Sequence, residues 1–281
     1  MSVSRQARQR GKMLDEIMAH HREQLPKIKR AVPLEDVRAF AGMAPPPLDF
    51  VAALSRPGVS LIAECKKASP SRGLLVRDYD PGQLAQAYVR AGASAVSVLT
   101  DARHFQGTLD DLREVKEALQ TMKGPGTGQP APVLRKDFIF DPYQIYEARA
   151  AGADAVLLIA RVLGRNDLRS LLELVHELGM EALVEVHSAD ELEKVLALEP
   201  RVIGVNNRNL QTFEVDFENT ARLRQQIPET VVTVAESGIK GPEDVKRMAE
   251  IGVDAMLVGE SLVRSKDVFA AARSLVKAGR A

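Results

Sequence analysis

Eight short apolar runs, each followed by an amphipathic stretch, predict an α/β fold: a single (βα)8 TIM barrel with an N-terminal helical extension. The runs span 59–64, 95–99, 133–136, 155–159, 182–185, 202–206, 231–236 and 255–258. Short, uniformly apolar runs suit parallel strands buried on both faces. A second observation is an internal echo. Ala91-Gly92-Ala93-Ser94-Ala95-Val96, Ala151-Gly152-Ala153-Asp154-Ala155-Val156 and Ile251-Gly252-Val253-Asp254-Ala255-Met256 repeat one helix-stop, turn and strand-start. The shared unit is αβ, so a repeated architecture fits better than two unlike domains. Third, no Gly-x-Gly-x-x-Gly turn follows the first run, which counts against an open doubly wound dinucleotide sheet.

Composition narrows the class. Among 281 residues, 38 Lys+Arg balance 38 Asp+Glu, and a neutral chain argues against nucleic acid or a membrane surface as partner. Cys65 is the single cysteine, so an internal disulfide is excluded and a cysteine-built metal site disfavoured. No apolar stretch approaches the roughly 18 residues of a membrane span, and residues 1–10 are polar and basic without the apolar core of a signal peptide. A soluble, cytoplasmic protein is expected. Without Trp and with few other aromatics, its core must be aliphatic.

Taken in order, residues 1–47 differ from the rest. Met13, Leu14, Ile17 and Met18 fall at helical spacing, Lys27-Ile28-Lys29-Arg30 is basic, and Pro45-Pro46-Pro47 ends the segment. One or two amphipathic helices are expected there, in front of a barrel spanning 48–281. Within the barrel, Asp80-Pro81, Asp141-Pro142 and Gly241-Pro242 each place a cap before a proline at the first helical position. Gly92, Gly152, Gly179 and Gly252 fall where a left-handed C-cap belongs. Ser188-Ala189-Asp190-Glu191 reads as a capping box that starts the helix after the fifth strand.

The residues that close the strands carry the chemistry. The first run leads into Glu64-Cys65-Lys66, and alternation puts Glu64 and Lys66 on one face, which must be lumenal or very costly. The third ends in Arg135-Lys136-Asp137-Phe138 and the sixth in Asn206-Asn207-Arg208. Glu185 is the lone carboxylate of Leu183-Val184-Glu185-Val186-His187, and the seventh run ends in Glu236-Ser237-Gly238. Any one of these charges alone reads equally well as a structural ion pair. Three carboxylates and two lysines at equivalent strand ends point instead to a reactive mouth, with a Lys as general acid and a Glu as base. No Asp/His cluster has metal spacing, and of five His only His187 lies beside a strand end, so no metal and no cofactor are expected. Ser237-Gly238 and Gly259-Glu260-Ser261 occupy the turns after the last two strands, where barrels build phosphate sites from backbone N–H groups. Ser69, with Pro70 fixing its turn, adds a hydroxyl donor.

The segment Ile62-Ala63-Glu64-Cys65-Lys66-Lys67-Ala68-Ser69-Pro70-Ser71 resembles the first-strand signature of the indole-3-glycerol-phosphate synthase family. The likeness continues through Ser97-Val98-Leu99-Thr100-Asp101, Phe105-Gln106-Gly107, Leu134-Arg135-Lys136-Asp137-Phe138-Ile139 and Leu183-Val184-Glu185-Val186. It runs on through Ile203-Gly204-Val205-Asn206-Asn207-Arg208, Val234-Ala235-Glu236-Ser237-Gly238-Ile239 and Leu257-Val258-Gly259-Glu260-Ser261-Leu262, covering residues 10–265. The resemblance implies one (βα)8 barrel whose N-terminal helical segment helps cover the site.

It further implies conversion of 1-(2-carboxyphenylamino)-1-deoxyribulose 5-phosphate, a small phosphorylated substrate, to indole-3-glycerol phosphate, carbon dioxide and water. This is a step of tryptophan biosynthesis that needs no cofactor. Lys136 matches the family's general acid and Lys66 the cation that holds the substrate carboxylate. Glu185 and Glu64 match the carboxylates of the dehydration, and the division of steps among these four stays open. Asn206 and Ser237 join this set; Arg208 and Glu236 match other polar residues lining the pocket. Ser69, Gly238, Gly259 and Glu260 match the phosphate grip. Phe105 and Phe138 match residues holding the anthranilate ring, with ordinary core packing as the alternative. Weak association with other tryptophan-pathway enzymes is the one protein partnership expected.

Two features depart from the family pattern. The link from Lys123 to Pro132 is longer and richer in Gly and Pro than usual; as a strand's N-terminal approach it is expected to be a flexible loop without a catalytic part. Some relatives are fused to a phosphoribosylanthranilate isomerase, whereas this chain stops at Ala281, so that activity is expected from elsewhere. An isomerase or aldolase of another phosphosugar barrel would share the phosphate turns but would not need both lysines beside Glu64 and Glu185. A silent barrel that merely binds a phosphometabolite or a partner protein should have lost a mouth charge, and none is missing.

Overall fold

In the computed structural model, residues 13–70, 72–126, 128–208 and 215–280 are described. Eight parallel strands close into a barrel: β1 Ser60–Cys65, β2 Ala95–Leu99, β3 Val133–Lys136, β4 Ala155–Ile159, β5 Glu181–Val186, β6 Val202–Asn206, β7 Val232–Glu236 and β8 Ala255–Val258. β1 pairs with both β2 and β8, which shuts the sheet. The bounds differ from the apolar runs by a residue at β1, β5 and β7. At β5 the added Glu181 is paired to His176 (3.0 Å) and Arg201 (3.1 Å), so a charge the run excluded still lies in the strand.

Alternation divides the core in two. Ile62, Leu134, Leu157, Leu183, Val234 and Leu257 pack inside the lumen, while Leu61, Val98, Val156, Val184, Val205 and Met256 face the surrounding helices. Those helices are α4 Pro81–Ala91, α5 Leu109–Leu119, α6 Pro142–Ala150, α7 Arg165–Glu177, α8 Ala189–Leu196, α9 Glu218–Arg224, α10 Pro242–Glu250, α11 Glu260–Val263 and α12 Val268–Gly279, numbered after the three that precede β1.

The anticipated punctuation is in place. Asp80 accepts from Gln83 N–H and Asp141 from Tyr143 N–H, each ahead of its proline. Gly92, Gly152, Gly179 and Gly252 all adopt positive φ. Ser188 Oγ accepts from Glu191 N–H, but Glu191 returns its bond to His187 N–H rather than to the cap itself. The echo has a structural reason in two of its copies. Asp154 and Asp254, just before β4 and β8, accept from Val133 N–H (2.7 Å) and Thr233 N–H (2.8 Å), tying each strand start to its neighbour.

Among the described residues, three helices precede β1. Helix α1, Met13–Ala31, starts at the mouth; α2, Leu34–Met43, descends along α6; α3, Phe50–Leu54, seals the far end, with Phe50 and Leu54 packed into the lumenal core. Leu25 and Val37 bury against Tyr143, whose hydroxyl donates to Val32 O (3.0 Å), and Lys29 pairs with Asp141 (2.8 Å). The Gly/Pro-rich link lies at the sealed end, before β3. It is closed by a Gly124 N–H to Gln129 O bond of 2.7 Å, and a Cβ on Gly126 would come 3.0 Å from Arg56 Cζ.

Candidate active site

Because β1, β3 and β7 run parallel, their C-terminal residues rise to one end of the lumen. There Lys136 stands between two carboxylates, its Nζ 3.6 Å from Glu64 Oε2 and 3.7 Å from Glu236 Oε2. Glu64 Oε1 also takes Lys66 Nζ at 2.5 Å. Burial drives the Glu64 carboxyl towards its neutral form, but the two lysines outweigh it and hold its pKa below the ordinary value. Burial likewise disfavours charge on Lys136; Glu64, Glu236 and Glu185 together overcome that and raise its pKa.

Glu236 is the unusual member. It is 1% exposed, and neither carboxylate oxygen has a hydrogen-bond partner among the described residues. Burial, with Glu185 nearby, pushes its pKa up to about 8, against the pull of Lys136. Glu185 is raised too, by burial, with Lys136 and a hydrogen bond from Asn206 opposing. The mouth therefore holds a carboxylate kept ionised between lysines and a carboxyl kept protonated at neutral pH. Environments that push like groups apart in this way can supply both acid and base.

Around this core lie the other residues singled out by sequence. Phe105 and Phe138 are half-buried with ring centroids 6.4 Å apart, and Lys66 Nζ is 5.9 Å from the Phe105 centroid. Asn206 is lumenal and its Oδ1 accepts from Arg208 N–H (2.9 Å), while Asn207 points the other way and binds Thr220. Ser69 Oγ is buried without a partner among the described residues. Ser237 and Gly238 both have positive φ, so the turn after β7 carries a strained non-glycine residue at the cavity wall. Gly259 and Glu260 open α11 after β8, and the Glu260 carboxylate is held by Arg72 (3.3 Å) and Arg264 (3.4 Å). Ser69, Phe105, Phe138, Asn206, Arg208, Ser237, Gly238, Gly259 and Glu260 line one cavity with Glu64, Lys66, Lys136 and Glu236. Glu185, in contrast, is not among the lining residues but is buried beside them.

Sequence reasoning missed four things here. Met13, Leu14 and Ile17 of α1 line the cavity; their helical spacing was visible but not their destination. Ser97 is fully buried, level with Glu64 in the β1–β2 register, and its Oγ has no partner among the described residues. Ser261 donates to Ile239 O (3.0 Å), joining the turns after β7 and β8.

The fourth is a correction. His187 is not the sole histidine near the strand ends, and an Asp/His cluster does form: His21, Asp101 and Asp137 meet, brought together from α1 and from the ends of β2 and β3. Its oxygens are engaged by protein donors. Asp101 accepts from His21, His104 N–H and Phe105 N–H, and Asp137 from Thr100, Arg135 and Phe138 N–H. The cluster fits a structural junction better than a metal site.

The family model described as indole-3-glycerol phosphate synthase matches residues 14–275. The chain belongs to this family. It is 46% identical over 265 residues to the indole-3-glycerol phosphate synthase of Dehalococcoides mccartyi (strain CBDB1), covering 94% of this chain and 100% of that one. To the synthase of Mycobacterium sp. (strain KMS) it is 48% identical over 267 residues, covering 95% and 94%. Membership in the indole-3-glycerol phosphate synthase family makes it a carboxy-lyase of tryptophan biosynthesis acting on a small phosphorylated substrate. Among solved structures, 3-hexulose-6-phosphate synthase from Salmonella typhimurium is similar with a TM-score of 0.60, covering 78% of this chain and 98% of that one at 16% identity. Thiamine phosphate pyrophosphorylase from Pyrococcus furiosus gives 0.58, with 78% and 95% covered at 14% identity. At such identities the barrel fold alone is shared. No helix among the described residues is long and apolar enough to cross a membrane.

Proposed function

We propose that the β-strand mouth performs the family's ring closure, decarboxylation and dehydration, with Lys136 as the acid of the first step. The observation that carries this is the placement of Lys136 between Glu64 and Glu236 in a covered cavity. The substrate, 1-(2-carboxyphenylamino)-1-deoxyribulose 5-phosphate, would lie with its ring between Phe105 and Phe138 and its phosphate at the turns after β7 and β8. There Gly238 and Gly259 line the cavity, and Ser69 Oγ has no hydrogen-bond partner among the described residues.

When the ring carbon bearing the carboxylate attacks the ribulose carbonyl, charge develops on the carbonyl oxygen, and the Lys136 ammonium protonates it. Lys66 holds the substrate carboxylate until the carbon–carbon bond breaks and its electrons return to the ring. The new hydroxyl then departs as water with a proton from an acid, while a base removes a proton beside the nitrogen. Glu64, flanked by lysines, is poorly suited to donate a proton and better suited to orient them. Glu185 and Glu236, both raised in pKa, suit the proton exchange of dehydration. Glu236 thus moves from a lining residue to a candidate acid, with Asn206, Ser237 and Arg208 orienting the ligand.

In this reading residues 1–47 form the covering extension and 48–281 the catalytic barrel, supported by the α1 side chains at the cavity. A cytoplasmic setting is kept as part of the proposal, as fits a biosynthetic enzyme family acting on a small phosphorylated metabolite. Weak association with other tryptophan-pathway enzymes is kept as part of the proposal. The direct test is to incubate the purified chain with the substrate and follow indole fluorescence. Turnover that is lost in Lys136→Ala is expected; an inert wild-type chain, folded and saturated with substrate, refutes the assignment.

A further inference from the structure

We propose that Gly204 on β6 is a positioning residue for Glu236, its missing side chain leaving the seat in which the Glu236 carboxyl rests. This builds on the reading that Glu236 serves the chemistry, but concerns a residue that reading leaves out.

A glycine inside a buried strand weakens it unless something must come close. Gly204 lies between the outward-facing Ile203 and Val205, so alternation aims its absent side chain into the lumen. It is not among the glycines with positive φ, so conformational freedom does not explain it. Space does. A Cβ at 204 would overlap Glu236 Oε1, and would stand 3.3 Å from Glu236 Cδ and 3.2 Å from Leu183 Cδ1. The register places Gly204 beside Glu185 on β5, and Glu236 beside Asn206 two residues further along β6. The Glu236 carboxyl therefore folds back over the gap at 204, between β5 and β7.

The arrangement has a counterpart across the mouth. A Cβ at Gly259 would overlap Glu64 Oε1 and lie 3.0 Å from Glu64 Cβ. In each carboxylate one oxygen lies over a glycine of, or just past, a neighbouring strand and the other faces Lys136, at 3.6 Å for Glu64 and 3.7 Å for Glu236. The glycine aims the carboxylate. At Gly204 it also turns Glu236 towards Glu185, whose charge adds to burial in keeping Glu236 protonated.

Gly204→Ala would displace the end of a flexible side chain rather than backbone, so the barrel should survive while the carboxyl moves. A misplacement on the order of 1 Å costs up to about 10²-fold, so kcat should fall about 10–100-fold and the alkaline limb of its pH profile should shift. The experiment is a cycle of Gly204→Ala, Glu236→Ala and the double variant, read by kcat, pH profile and melting temperature. A glycine-to-alanine change without strain stabilises a chain by limiting its unfolded state. Gly204→Ala should therefore lower the melting temperature in the wild-type background, yet leave it unchanged or raised beside Glu236→Ala. If the single variant does not fold, the double variant compared with Glu236→Ala still decides. Equal loss of stability in both backgrounds, or an unaltered kcat and pH profile in Gly204→Ala, overturns the seat. Wild-type kcat in Glu236→Ala instead overturns the role given to Glu236, a separate result.

Discussion

His21 Nε2 lies 2.7 Å from Asp101 Oδ2, pinning α1 to the turn after β2 across 80 residues of sequence. Asp101 also accepts from the N–H groups of His104 and Phe105, so one carboxylate holds both the covering helix and the turn that carries Phe105. Burial opposes charge on His21, and the Asp101 bond together with the charges of Asp137 and Asp101 outweighs it, raising the pKa; Asp101 is lowered to about 2.

Removing this pin should loosen the cover. A hydrogen bond to a charged group is worth about 1.5–3 kcal/mol, so His21→Ala should raise KM by roughly tenfold with a smaller change in kcat. The pH sign follows from the two shifts. The His21 contribution is full below its ordinary 6.5 and is lost as pH rises through the raised value; that of Asp101 is present above its ordinary 3.8 and is lost as pH falls towards 2. The melting-temperature gap between wild type and His21→Ala should therefore peak between those ordinary values and narrow on either side. A gap that is flat with pH would remove the pin.

Lys136→Ala should lower kcat by about 10²–10⁴-fold, the usual worth of a positioned acid, with little change in affinity for a non-reactive substrate analogue. Lys66→Ala should weaken analogue binding as well, because it takes away the cation facing the substrate carboxylate. Kinetics and equilibrium binding on both variants check this. A stable Lys136→Ala enzyme with near wild-type kcat would leave Lys136 as a mere ion-pair partner.

Glu236 should destabilise the fold as pH rises. Its ordinary value is 4.5 and its folded value about 8, so the stability linked to its proton is full below the first and lost through the second. Glu236→Gln keeps the shape without the charge, and its melting temperature should gain on wild type steadily between those values. Thermal melts across that range test the sign; a constant difference would mean that Glu236 is ionised throughout.

Replacing residues 124–131 by a short turn should leave kcat nearly unchanged, since the link lies at the sealed end beside Arg56. A large fall in kcat with the fold intact would contradict that placement.

Much of this was legible in the chain. The apolar runs marked all eight strands to within a residue or so, because a strand buried on both faces must be apolar along its whole length. Strand-end position and alternation also identified Glu64, Lys136 and Glu236 as facing a common space. Glu185 was read as part of that mouth, and it lies buried there beside Lys136 and Asn206. Met13, Leu14 and Ile17 announced a helix, but periodicity says which face is buried and not against what.

By itself, then, the sequence determined the αβ rhythm, the helix caps and which residues point inwards, since each depends on backbone geometry within a few positions. Only the tertiary structure decided which inward groups meet. Lys136 finds Glu64 and Glu236 across the lumen, His21 finds Asp101, and Glu236 finds the space over Gly204. Those meetings depend on barrel closure and on the stagger between strands, and the same closure removes water so that burial and neighbouring charge can drive the carboxyls apart in pKa. Local pattern contains none of that, because it is a property of distances between segments far apart in the chain.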